Sequence, residues 1–205
     1  MTKVWFRFGI IFVVFLLIHP VIGAARKSNT KRLPVRIEGS PMTGNKEAPV
    51  TIVEFTDFEC PFCEAVQPSI QKILKSYPKE VRLVFKHFPL QLHRNAKRAH
   101  LAAACAEEQG RFWEYRNELF QDQRALKRND LLGYAEKLGL NRSSFEQCLD
   151  QETYLWKIQE DIKEGFGIGV SGTPTFLING ISLPGAQSFV SFQHLIEQEL
   201  SQAKS

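Results

Sequence analysis

The chain has 205 residues, room for one domain or for one domain carrying an insertion. Apolar residues make up 43% and charged residues 23%, ordinary globular values that exclude disorder throughout. The 26 basic and 22 acidic residues leave a net charge of +4, but from Gly39 onward 19 basic residues face 21 acidic ones. The body therefore presents no basic surface for nucleic acid.

Residues 1–23 read as an export signal: Lys3 and Arg7, an apolar run over 9–18, His19-Pro20, then small residues ending at Gly23. Ten apolar residues are too few to cross about 30 Å of hydrocarbon. The alternative is an uncleaved anchor over residues 8–25, interrupted only by His19 and Pro20. The first reading places the body in the periplasm, the second holds it at the membrane facing the periplasm or cell exterior; disulfides persist in either place. Residues 24–33 are polar and basic and read as a flexible leader.

The first firm strand spans 49–56, with Val50 and Ile52 on one face and Val53 and Phe55 on the other, the pattern of a central strand. Residues 61–76 read as a helix, with Pro61 in its first turn and Val66, Ile70, Ile73 and Leu74 inward. A second interior strand covers 81–87, so strand, helix and strand form a right-handed parallel crossover. Residues 93–165 read as a helical tract. An alanine-rich helix carries Ala96, Ala99, Ala102, Ala103 and Ala106, a second helix spans 112–120, and three shorter ones follow. Residues 174–178, the turn Asn179-Gly180 and residues 181–183 form a hairpin, and an amphipathic helix runs over 188–202.

Four cysteines allow three pairings. On the chain-entropy model, closing the four-residue ring of Cys60-Pro61-Phe62-Cys63 gives about 2 kcal/mol, whereas a bridge from Cys105 to Cys148 gives about 4 kcal/mol. The short bond suits a bridge meant to be broken; the long one would staple two helices of the tract. Asp57-Phe58-Glu59 leads straight into the helix, placing Cys60 at its N-terminal edge. Unpaired N–H groups and the macrodipole there stabilise a thiolate, which is both nucleophile and leaving group. Cys63, one turn on, faces inward as the resolving thiol. A zinc half-site needs a second pair of ligands, and His87, His93, His100 and His194 do not have that spacing. A plain structural bridge at Cys60–Cys63 is the other alternative.

Two further features stand out. Glu54 shares a strand face with Val50 and Ile52, so it is an interior carboxylate needing a partner or a proton, or it reaches solvent through strand twist. Lys86 on the neighbouring strand is the expected partner, and proton exchange with Cys63 through water the expected role. Gly172-Thr173-Pro174-Thr175-Phe176 opens a strand with proline. A cis Thr173-Pro174 bond packed on Cys60 would leave a neighbouring edge for an extended peptide; a trans proline on an edge strand is the alternative.

Glu54–Cys63, Phe88-Pro89-Leu90 with His93, Cys105–Tyr115 and Gly172–Phe176 together resemble the DsbA-like branch of the thioredoxin superfamily, over about residues 35–205. The resemblance implies an α/β thioredoxin fold (34–92 and 166–205) with an inserted all-helical domain (93–165). It also implies Cys60 as the exposed nucleophile, Cys63 as resolving thiol, a cis Pro174 beside them, Glu54 as the buried acid, and Cys105–Cys148 as a structural bridge. Phe62, Thr173 and Pro174 become the substrate-binding residues. The best-known member carries Pro-His between its cysteines where this chain has Pro61-Phe62, which implies a less acidic Cys60 and a weaker oxidant. The expected activity is oxidation of unfolded or reduced exported proteins by thiol–disulfide exchange, without metal or organic cofactor. A membrane reoxidase of the DsbB or VKOR type would renew the disulfide. A reductase or isomerase kept reduced by a partner, and a redox-silent chaperone using the same groove, are the rivals.

Overall fold

The computed structural model describes Met1 and residues 31–203, so the rest of the expected export signal and residues 24–30 of the leader lie outside the described residues. In chain order the elements are β1 (Met42–Gly44), β2 (Val50–Thr56), α1 (Pro61–Ala65), α2 (Gln67–Ser76), β3 (Val81–His87), α3 (Ala96–Glu108), α4 (Phe112–Gln121), α5 (Arg128–Lys137), α6 (Arg142–Asp150), α7 (Leu155–Gly167), β4 (Thr175–Ile178), β5 (Ile181–Pro184) and α8 (Phe189–Ala203). One sheet has the strand order β1-β3-β2-β4-β5. β2 and β3 run parallel from Val50↔Val81 to Thr56↔His87, and β4 lies antiparallel on the other side of β2.

β2 is central because both its faces are apolar. Val50 and Ile52 pack with Ile70 and Ile73 of α2 and Phe192 and Ile196 of α8. Val53 and Phe55 pack with Val84, Phe88 and Leu177 on the opposite face. A third cluster fills the helical insertion, built from the alanine face of α3 with Tyr115, Leu131 and Phe145, and it runs on to Phe58, Cys60, Cys63 and Phe85. The CxxC segment therefore sits where the sheet meets the inserted helices. Among the described residues, no helix is long and apolar enough to cross a membrane.

Three local readings need correction. The single helix expected over 61–76 breaks at Val66, because Pro68 has no N–H to donate and its ring collides with the carbonyl of Glu64; the chain restarts with Pro68 in the first turn of α2. β1 had no sequence signal: it is three residues long and owes its existence to antiparallel pairing with β3, with Gly44 at φ +92° where a Cβ would come within 2.7 Å of Val81 O. The end of the leader is not loose. Leu33 N–H donates to Gly180 O at 2.8 Å, and Arg32 pairs with Glu199 at 2.7 Å. The β4–β5 turn is as read, with Asn179 and Gly180 at φ 47° and 86°.

Candidate active site

β2 delivers the chain to the site and α1 receives it. Cys60 caps α1 in an extended conformation (φ −81°, ψ 120°), with Pro61 at the first turn, where a missing N–H costs nothing. The Cys60 carbonyl accepts from the N–H of Cys63 at 3.0 Å, which folds the two sulfurs to one side. Both cysteines are free thiols. Cys60 is pulled down to about 5, chiefly by a hydrogen bond from the Cys63 thiol, with help from Thr173 and the N–H groups of Cys63 and Phe62 against the opposing effect of burial. Cys63 moves the other way: burial, then the hydrogen bond to Cys60, pushes its thiol far up. One sulfur holds the charge and the other holds the proton.

Cys60 is not the exposed nucleophile of the resemblance; it is 3% accessible and Cys63 is 0%. Two elements close over it. Cys60 Sγ lies 3.4 Å from Thr173 O, and Gln123 Nε2 donates to the carbonyls of Phe58 and Cys60, both at 2.9 Å. Pro61 and Phe62 are the exposed members of the motif, Phe62 at 64%. The Thr173-Pro174 bond is cis. On the β5 side Pro174 O accepts from Gly185 N–H at 2.8 Å, and the β2–β4 ladder ends at Phe55↔Thr175, before Pro174.

Glu54 is wholly buried, so the solvent-exposed alternative falls. Its partner is Arg116 of α4, whose Nη2 lies 2.9 Å from Oε2, while Gln67 Nε2 donates to Oε1 at 3.1 Å. Lys86 is not the partner: Glu54 pairs in register with Phe85, and Lys86 with Phe55, so the lysine projects from the opposite face and binds Asp161 at 2.9 Å and Glu164 at 3.0 Å. Glu54 reaches the cysteines indirectly, since the same Gln67 Nε2 also donates to Cys63 O at 2.7 Å.

Several residues of this neighbourhood were given no contacts in the site from the sequence. Asp57, fully buried, accepts from Glu59 N–H at 2.8 Å and Leu90 N–H at 2.7 Å, and lies 2.7 Å from His93 Nδ1. Glu59 accepts from the N–H and Nδ2 of Asn95 at 2.6 and 3.0 Å. Together they lash the turn before Cys60 to residues 90–95. His87 and His100 face each other at 2.8 Å beneath Phe58, held neutral by burial. The only legible signal was acidic residues just before a helix start; their acceptance of backbone N–H groups from a remote loop is tertiary. Among the described residues, no three His, Cys, Asp or Glu side chains are grouped to hold a metal.

Cys105 on α3 and Cys148 on α6 are joined by a disulfide with Cα atoms 5.9 Å apart, inside the cluster of the inserted helices.

The family model described as "Thioredoxin" matches residues 37–198. The chain belongs to the thioredoxin family. It is similar to the Na(+)/H(+) antiporter NhaA 3 of Salinispora tropica, 39% identical over 161 residues that cover 78% of this chain and 24% of that protein. It thus spans about a quarter of the length of such relatives. Among solved structures it resembles oxidised BdbD from Bacillus subtilis (TM-score 0.74, 24% identity, covering 84% of this chain and 97% of that one). A thioredoxin-like oxidoreductase from Silicibacter pomeroyi gives 0.69, 26%, 80% and 92%. The thiol-disulfide exchange protein alpha-DsbA2 from Wolbachia pipientis gives 0.70, 18%, 78% and 86%. The fold is thus the DsbA-like one, a thioredoxin sheet with helices inserted between β3 and β4.

Proposed function

We propose that this thioredoxin-family chain is a thiol–disulfide oxidoreductase that introduces disulfides into unfolded or reduced exported proteins through Cys60 and Cys63. The carrying observation is the division of labour between two adjacent sulfurs: Cys60 stabilised as a thiolate at about 5, Cys63 kept protonated by burial. A client thiolate attacks Cys60 Sγ of the Cys60–Cys63 disulfide; the new S–S bond forms as the old one breaks toward Cys63. A second client thiolate then attacks the client sulfur of the mixed disulfide and expels Cys60 as its stable thiolate. The client loses two electrons and the cysteine pair gains them. Cis Pro174 with Thr173, and exposed Phe62, supply the surface on which an extended client lies. Glu54 acts behind them as a buried acid acting through Gln67 on Cys63.

The setting is outside the cytoplasm, with a membrane reoxidase of the DsbB or VKOR type restoring the disulfide. Residues 1–23 and the redox chemistry support it. Cys60→Ala should abolish client oxidation and mixed-disulfide formation; unchanged client handling would leave only a chaperone. Equilibration with glutathione separates oxidase from reductase or isomerase, since the same CxxC serves all three. A potential as low as that of thioredoxin would exclude a dedicated oxidase.

A further inference from the structure

Cys63 has none of its surface in water, yet exchange requires it to carry charge. When a thiolate attacks Cys60 Sγ in the Cys60–Cys63 disulfide, the electron pair of the broken bond leaves on Cys63 Sγ, which afterwards takes a proton from solvent. A buried thiolate without donors is costly. Two donors face it. The backbone N–H of Asp57 donates to Cys63 Sγ at 3.4 Å. The hydroxyl of Thr56, the last residue of β2, is buried and completes no hydrogen bond of ordinary geometry. It belongs to the residue directly before the Asp57 N–H that reaches Cys63 Sγ, and it favours the charged form of that thiol.

An unpaired buried hydroxyl is a standing cost to the fold. Its neighbours do not use it: the adjacent β3 end takes the Thr56 carbonyl, which accepts from Phe88 N–H at 3.0 Å. Near the cysteines, Glu54 is already engaged by Arg116 and Gln67, and Asp57 by Glu59, Leu90 and His93, while the Thr173 hydroxyl, a second buried group without a partner, lies on the Cys60 side. We propose that the Thr56 hydroxyl and the Asp57 N–H form a two-donor cradle that receives the Cys63 sulfur as it becomes a thiolate during exchange. On this assignment Thr56 donates to a reacting atom during exchange, an inference that rests on the redox reading above. Cys63 is bonded in the oxidised protein and a neutral thiol in the reduced one, so the cradle acts on the barrier and leaves the equilibrium between the two states nearly alone.

The test is the rate at which dithiothreitol reduces the oxidised protein, which needs no client. Loss of one hydrogen bond to a charged atom should slow Thr56→Val about tenfold, while Thr56→Ser stays within about threefold of the native rate. The glutathione equilibrium constant should move by less than about twofold in both, as expected for an interaction confined to the transition state. Thermal unfolding of Thr56→Val should occur at or above the native temperature, because an unpaired hydroxyl has been removed. A native rate for Thr56→Val, an equally slow Thr56→Ser, or a Thr56→Val chain that is less stable or fails to fold would each overturn the proposal. Should the native protein react with dithiothreitol as described yet oxidise no client, the client-oxidase reading fails and the cradle stands.

Discussion

The two cysteine pairs of this protein are the same chemistry in opposite settings. Cys105 and Cys148 lie on two helices 43 residues apart in sequence, and their bond closes a long loop inside an apolar cluster. Cys60 and Cys63 lie one turn apart at a strand-to-helix junction, where N–H groups, a threonine and each other's sulfur split their ionisation in opposite directions. Burial does not separate the pairs, since all four cysteines are buried. What separates them is the supply of donors. A sulfur surrounded by hydrocarbon is held in its bond; a sulfur surrounded by donors is able to leave it.

The sharpest way to break this contrast is to remove each pair in turn. Cys60→Ala with Cys63→Ala should eliminate exchange and remove the pH dependence of unfolding that the Cys60 thiolate gives the reduced protein. Cys105→Ala with Cys148→Ala should keep exchange and lower stability by about 4 kcal/mol, the loop-closure value for about 44 residues. Equal effects of the two double variants on both readouts would dissolve the distinction.

The ion pair that ties the insertion to the sheet comes next. Arg116→Met leaves the Glu54 carboxylate buried without its cation, and breaking such a pair costs about 3–5 kcal/mol. Chemical denaturation at neutral pH measures it. Replacing both partners together, Glu54→Gln with Arg116→Met, should recover most of the loss, because the uncompensated charge is then gone.

The pH dependence sharpens the reading of Cys60. Its ionisation is lowered in the folded reduced protein to about 5, whereas an unfolded thiol titrates near 8.5. Between those values the unfolded chain binds the extra proton, so the stability of the reduced form relative to the oxidised form rises with pH from about 5 to about 8.5 and falls back as pH drops through 5. Thiolate absorbance and unfolding of both redox forms across that window check it. Cys63→Ala, which removes the leading donor, should move the Cys60 titration upward.

The smallest effect expected is at Phe62. Its exposed ring permits Phe62→His with less than about 0.5 kcal/mol change in stability. The new imidazole should stabilise the thiolate further and shift the glutathione equilibrium toward the reduced protein.

Most of the framework was legible because it follows from local pattern. Apolar residues on both faces of 49–56 require a central strand, Asn179-Gly180 requires a tight hairpin, and a CxxC after Asp57-Phe58-Glu59 requires a sulfur at a helix start. Pro68 was visible in the chain and breaks its helix for a reason equally visible, the missing N–H. The short strand at Met42–Gly44 had no periodicity to read, since three residues pair only where a partner edge waits.

The chain alone determined that a cysteine pair stands between a buried strand and a helix, that a proline opens another strand, and that an interior carboxylate needs a partner. Local chemistry and two- or 3.6-residue periods carry that information. Tertiary structure alone decided that the partner is Arg116 rather than Lys86, that Cys60 is covered, and that the Asp57 N–H reaches Cys63. Each depends on strand register, or on which remote side chain is brought within about 3 Å, the reach over which a hydrogen bond acts.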